Sequence, residues 1–103
     1  MIARVWSART SNLQATERYR RVFEDEVLDH LSGVAGFRGA YLLTRQDQAS
    51  MAVRTLTLFE SFEAVKRFAG PDYERERVTP QARAALLDSD PAVRHFDVLT
   101  APR

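Results

Sequence analysis

The chain has 103 residues, 45% of them hydrophobic and 28% charged, enough for one core and too few for a second, so residues 1–103 read as a single domain. Acids and bases are scattered and nearly balanced at a formal charge of +1, which leaves no basic stripe for a nucleic-acid backbone, and no apolar run approaches the ~18 residues of a membrane span. Cysteine is absent, which removes disulfides, thiolate nucleophiles and thiolate metal sites together.

Residues 2–9 are short, β-branched and aromatic and run into the polar turn Thr10-Ser11-Asn12, which predicts a first strand. Met1 leads directly into it with none of the basic, apolar and cleavage regions of an export signal, so a soluble, cytoplasmic protein is expected. Over residues 14–32, Tyr19, Val22, Phe23, Val27, Leu28 and Leu31 recur at helical spacing opposite Arg18, Arg20, Arg21, Glu24 and Asp25, and Gly33 closes the helix. Strands follow at 37–45 and 51–59, joined by Gln46-Asp47-Gln48-Ala49-Ser50 as a hairpin. Ser61 caps a short helix at 62–69, stopped by Gly70-Pro71. Thr79 and Pro80 start another through Leu87, Asp88-Ser89-Asp90-Pro91 ends it, and 93–100 reads as the last strand.

This order, βαββαβ with one extra helical turn or two, predicts an α+β fold of ferredoxin-like type with a four-stranded antiparallel sheet. Counting residues by parity, one set holds Val5, Leu42, Val53, Phe59, Phe96 and Val98, and the other holds Ile2, Trp6, Tyr41, Leu43, Leu56, Leu58, Val93 and Leu99. Both faces of the sheet are therefore apolar, and two helices cover one. A second copy stacked on the other face, a homodimer through the sheet, is the expected cover; the alternative is that the extra helix near 82–87 folds over it.

Several segments in this order resemble the antibiotic-biosynthesis-monooxygenase superfamily. They are Ile2-Ala3-Arg4-Val5-Trp6, Gly36-Phe37-Arg38-Gly39-Ala40-Tyr41-Leu42-Leu43, Leu58-Phe59-Glu60-Ser61-Phe62-Glu63-Ala64, Phe68-Ala69-Gly70 and Val93-Arg94-His95-Phe96. The resemblance implies a dimeric α+β barrel with a pocket between sheet and helices in each subunit. It also implies cofactor-free oxygenation of aromatic polyketide-like quinols, quinol oxidation or haem degradation as activities, while many members have none known. Catalytic members commonly carry Trp at the end of the third strand, where this chain has Phe59; an indole N–H donor is lost there, and an aromatic wall remains.

The residues nominate His95 and Arg4 as catalytic and Trp6, Tyr41, Arg54, Thr57 and Phe59 as substrate-binding. By parity His95 shares a face with Arg4, Trp6, Tyr41, Arg54 and Asp97, where a neutral imidazole would take a phenolic proton and Arg would stabilise the anion. Alternatively, His95 is a dimer-face histidine paired with Asp97 or a carbonyl, with Arg4 and Arg54 in intersubunit ion pairs, and the aromatics are packing. Thr55, Thr57 and Phe59 suggest a pocket on the other face. His30 sits among acids on the long helix and reads as solvated, Ser61 as a cap, and no metal site or cofactor motif is expected. The expected function is a small-molecule-binding homodimer taking a small aromatic or apolar molecule, as a cofactor-free monooxygenase on an aromatic quinol or polyketide-like substrate. The alternatives are a non-catalytic ligand-binding or stress-response dimer, favoured by a pocket too small for two fused rings, and thirdly a haem-degrading monooxygenase.

Overall fold

The computed structural model describes residues 1–102. Strand β1 (Ile2–Thr10) leads into a long helix made of α1 (Leu13–Val22), a π-helical turn (Phe23–Val27) and α2 (Leu28–Ser32). The Asn12 side chain caps its start by accepting from the Ala15 N–H at 2.9 Å. Strands β2 (Phe37–Asp47) and β3 (Ser50–Phe59) form a hairpin, followed by α3 (Phe62–Ala69), α4 (Pro80–Ala85), β4 (Asp88–Ser89) and β5 (Arg94–Asp97). Ser61 and Thr79 cap α3 and α4 through their side-chain oxygens.

The sheet is antiparallel throughout, in the order β2-β3-β1, with β4 and β5 both pairing with the remaining edge of β1. The α+β class and the ferredoxin-like order hold. Five strands, not four, appear among the described residues: Asp88–Ser89, expected as part of a turn, pairs with Ala8 and Arg9. Two polar residues carry no strand signal; the Arg9–Asp88 ion pair and the Leu87 N–H to Arg9 carbonyl bond (2.7 Å) hold them there. The hairpin is tighter than expected, with Asp47 opposite Ser50 and Gln48 taking φ +53 in the left-handed region. The last strand covers only four residues, and α4 stops at Ala85.

Residues directly opposite each other across a ladder point to the same face. Ile2, Arg4, Trp6, Ala8 and Thr10 oppose Phe59, Thr57, Thr55, Val53 and Met51, and all ten are buried under the helices. Two apolar clusters fill this layer. Trp6, Tyr19, Phe23, Val53, Ala82 and Ala85 belong to the first; Ile2, Leu31, Phe59, Val65 and Phe68 belong to the second. Helix α4 thus packs beside the long helix and leaves the second sheet face uncovered. There Val5, Leu56 and Leu58 are partly buried, and Tyr41, Leu43 and Phe96 are exposed.

Gly36 sets how closely the hairpin approaches α3. Its φ is +93, and a β-carbon at that position would come within 2.7 Å of the Ala64 β-carbon, so only glycine fits. The register then slips between Phe37 and Gly39, which keeps Phe37 edge-on to Phe59 at 6.0 Å while sending Tyr41 to the uncovered face.

Candidate functional site

Arg4 lies at the seam between the two clusters. Its strand neighbours on the same face, Ile2 and Trp6, belong to different clusters, and its side chain is 5% exposed. A buried guanidinium is costly unless its donors are engaged. Here it donates to the Tyr73 carbonyl, to the Arg75 carbonyl at 3.1 Å and to His95 Nε2 at 3.2 Å. It makes no ion pair among the described residues. Burial first, and then the nearby charge of Arg77, push its pKa down to about 10, so it remains a cation at neutral pH.

Because a guanidinium has no acceptor, the contact with His95 requires a lone pair on Nε2, hence a neutral ring with its proton on Nδ1. The protonation physics agrees: burial and the Arg4 charge hold His95 below the ordinary imidazole value, against a weaker pull from Glu74. The ring packs against Phe62 and Tyr73, with centroids 5.2 and 5.9 Å away.

A cavity of about 40 Å³ opens beside Arg4 between sheet and helices. Its walls are Arg4, Trp6, Thr55 and Thr57 from the sheet, Tyr19, Phe23 and Val27 from the long helix, and Phe68, Arg77 and Val93. Trp6 offers only its ring, since its N–H is shared between Glu76 Oε2 at 3.1 Å and the Asp90 carbonyl at 2.9 Å. Tyr19 lies 6.1 Å from the indole; burial and then Glu76 raise its phenol pKa, so the hydroxyl stays protonated. Thr57 donates to the Arg4 carbonyl at 3.3 Å.

Of the seven nominated residues, Arg4, Trp6 and Thr57 line this cavity. His95 touches Arg4 without lining it, and Phe59 is wholly buried in the second cluster against Phe37 and Phe68. Tyr41 and Arg54 do not join them. Tyr41 opposes Leu56, and Arg54 opposes Ser7 and bonds its hydroxyl at 3.2 Å, both on the uncovered face. Parity counted along the chain does not transfer between strands; pairing register decides the face. The same register brings the two expected pockets onto one face, with Thr55 beside Trp6 and Thr57 beside Arg4. Arg77 was missed because it sits in a polar connection with no periodicity to mark it. His30 is exposed and rests 5.7 Å from Phe68. Among the described residues no three metal-ligating side chains come together, and no helix is long and apolar enough to cross a membrane.

The fold is that of the antibiotic-biosynthesis monooxygenases, as the sequence resemblance implies. A solved structure of a MhuD variant with two manganese protoporphyrin IX molecules per active site superposes with a TM-score of 0.66 at 18% identity, over 100% of this chain and 99% of that one. An antibiotic biosynthesis monooxygenase of Bacillus cereus, so described without established activity, gives 0.62 at 14% identity over 98% and 97%. A variant of SnoaB, a cofactor-independent oxygenase from Streptomyces nogalater, gives 0.57 at 17% over 97% and 95%. No family model and no curated protein matches the sequence.

The depressed pKa of His95 has a pH signature. The unfolded chain protonates first as pH falls, near the ordinary value of 6.5, so the stability tied to neutral His95 is complete above that pH and is lost toward the lower folded value. Between about pH 7.5 and about pH 5.5 the thermal midpoint should fall further in the wild type than in His95→Gln. Parallel pH profiles would show that Arg4 and burial do not restrain the ring.

Proposed function

We propose that the protein binds a small aromatic molecule between sheet and helices, with Arg4 meeting its oxygen. The observation that carries this reading is a buried guanidinium without a carboxylate, set in the wall of a cavity otherwise made of aromatic rings, threonines, valines and a second arginine, Arg77. A cation in a dry site is placed to stabilise an oxyanion as it forms. The reaction that suits the arrangement is cofactor-free monooxygenation of an aromatic quinol or polyketide-like substrate, in which the substrate supplies the electrons. The fold shared with a cofactor-independent oxygenase supports it. Arg4 would stabilise the substrate anion, and His95 would act as base once its Nε2 exchanges the Arg4 N–H for a substrate O–H.

A second reading, a non-catalytic ligand-binding dimer, has its own observation: the 40 Å³ cavity is far smaller than two fused rings require. Porphyrin does not fit the residues present. The cavity has no room for a macrocycle, and no histidine lines it. Oxygen uptake with a panel of anthrone- and quinol-type compounds separates the first two readings. Oxygenation predicts uptake above the uncatalysed rate that falls by roughly 100-fold in His95→Ala. Uptake at the background rate, or activity indifferent to that substitution, leaves the binding role alone.

Pairing of two copies through the uncovered sheet face completes the proposal. Tyr41, Leu43 and Phe96 are about half exposed there beside Val5, Leu56 and Leu58, a contiguous apolar surface of the kind that marks an interface. Sedimentation of the wild type should give a dimer, and Leu43→Glu with Phe96→Glu a folded monomer. A monomeric wild type would refute the pairing.

A further inference from the structure

The small cavity and a larger groove share one wall. The groove, about 360 Å³, runs between the long helix and β2, with Leu28, Ala40, Leu42 and Val53 among its apolar residues. Phe23 lines both spaces. It is 3% exposed and opens the π-helical turn, where the regular helical hydrogen-bond ladder is interrupted and where such irregularities accompany functional sites. Turning the Phe23 ring aside would make one continuous site from cavity and groove.

The cavity end of that site is positive. The guanidinium carbons of Arg4 and Arg77 both lie over the Phe68 ring, 5.7 and 5.1 Å from its centroid. Three of the five Arg4 N–H groups are directed at Tyr73, Arg75 and His95, and Arg77 gives one to the Phe68 carbonyl. No Asp or Glu lines the cavity to balance the two cations. No His, Lys or Cys lines it either; the base nearest to it, His95, stands behind Arg4 with its Nε2 lone pair engaged by that guanidinium. While that contact holds, negative charge at this place arrives with the ligand.

On the reading that this cavity is a ligand site, we propose that it takes an aromatic carboxylate, the carboxylate held between Arg4 and Arg77 and the ring system passing Phe23 into the groove beside Leu42. Guanidinium pairs carboxylate through two parallel N–H bonds, which selects a planar anion over an alcohol of the same size.

Trp6 is the single tryptophan and lines the cavity, so its indole N–H gives one isolated NMR signal that reports on the inner end. The full-length chain is titrated with 2-naphthoate and with neutral 2-naphthalenemethanol, as wild type, Arg77→Met, Arg77→Lys and Phe23→Leu. Naphthoate should shift the Trp6 signal saturably and bind at least ~10-fold more tightly than the alcohol. Arg77→Met should abolish that preference, Arg77→Lys should keep part of it, and Phe23→Leu should tighten naphthoate binding. Equal binding of acid and alcohol, no saturable shift at Trp6, or a preference retained in folded Arg77→Met overturns the proposal. Oxygen uptake is not read here: an inert protein that prefers naphthoate loses only the oxygenase reading, and turnover of a neutral quinol without that preference loses only this one.

Discussion

Arg4 occupies a position where the strand pattern calls for an apolar residue, midway between two hydrophobic clusters, and much of the surrounding structure is arranged to tolerate it. Moving an unpaired charge from water into such a layer costs several kcal/mol, and carbonyls and an imidazole offset that only if they are held in place. The connection between α3 and α4 supplies them, since Tyr73 and Arg75 turn their carbonyls toward the guanidinium. That connection is in turn fastened to the segment before β5, through Val93 N–H to the Glu74 carbonyl at 2.9 Å and Glu76 N–H to the Pro91 carbonyl at 2.8 Å. One buried cation thereby joins the centre of the sheet to a stretch with no regular structure of its own.

A second polar network works from the other side. Burial opposes ionisation of Glu76, but hydrogen bonds from Ser89, Arg83 and the Trp6 indole outweigh it and hold the carboxyl below its usual range. The same indole N–H is shared with the Asp90 carbonyl, so Trp6 is fixed against the connection just as Arg4 is. The cavity lies where these two anchored side chains meet the rings of Tyr19, Phe23 and Phe68. Its polarity follows from the elements that build it: Arg4, two threonines and the Trp6 ring from the sheet, aromatic rings from the helices, and Arg77 from the connection.

Most of the architecture was legible because it rests on local signals. Asn12, Ser61 and Thr79 each cap the helix expected after them, and the 3.6-residue recurrence of Tyr19, Phe23 and Leu31 marks the buried side of the long helix. The features that escaped depend on contacts distant in sequence. Helical periodicity runs smoothly through Phe23–Val27 and gives no warning of a π-turn. Asp88–Ser89 is a strand only because Arg9 is there to receive it. Tyr41 and Arg54 were assigned to the wrong face because a slip at Phe37/Gly39 and the ladder registers, invisible in one strand's alternation, decide which rows align. Arg4 and His95 were correctly brought together, since β1 lies between β3 and β5 in this topology. Arg77 was not found, because a polar connection leaves no pattern from which to place it.

The central claim, that the buried Arg4 cation organises the connection forming one side of the cavity, is tested most directly by amide hydrogen exchange in Arg4→Met. Methionine keeps an unbranched apolar stem and removes the donors, so the account predicts exchange at least ~10-fold faster for the amides of residues 73–77 while those of the long helix and β3 keep their protection. Unchanged protection across 73–77 in the folded variant would contradict it, and would mean that the connection is held by its ties to residues 91–93 alone.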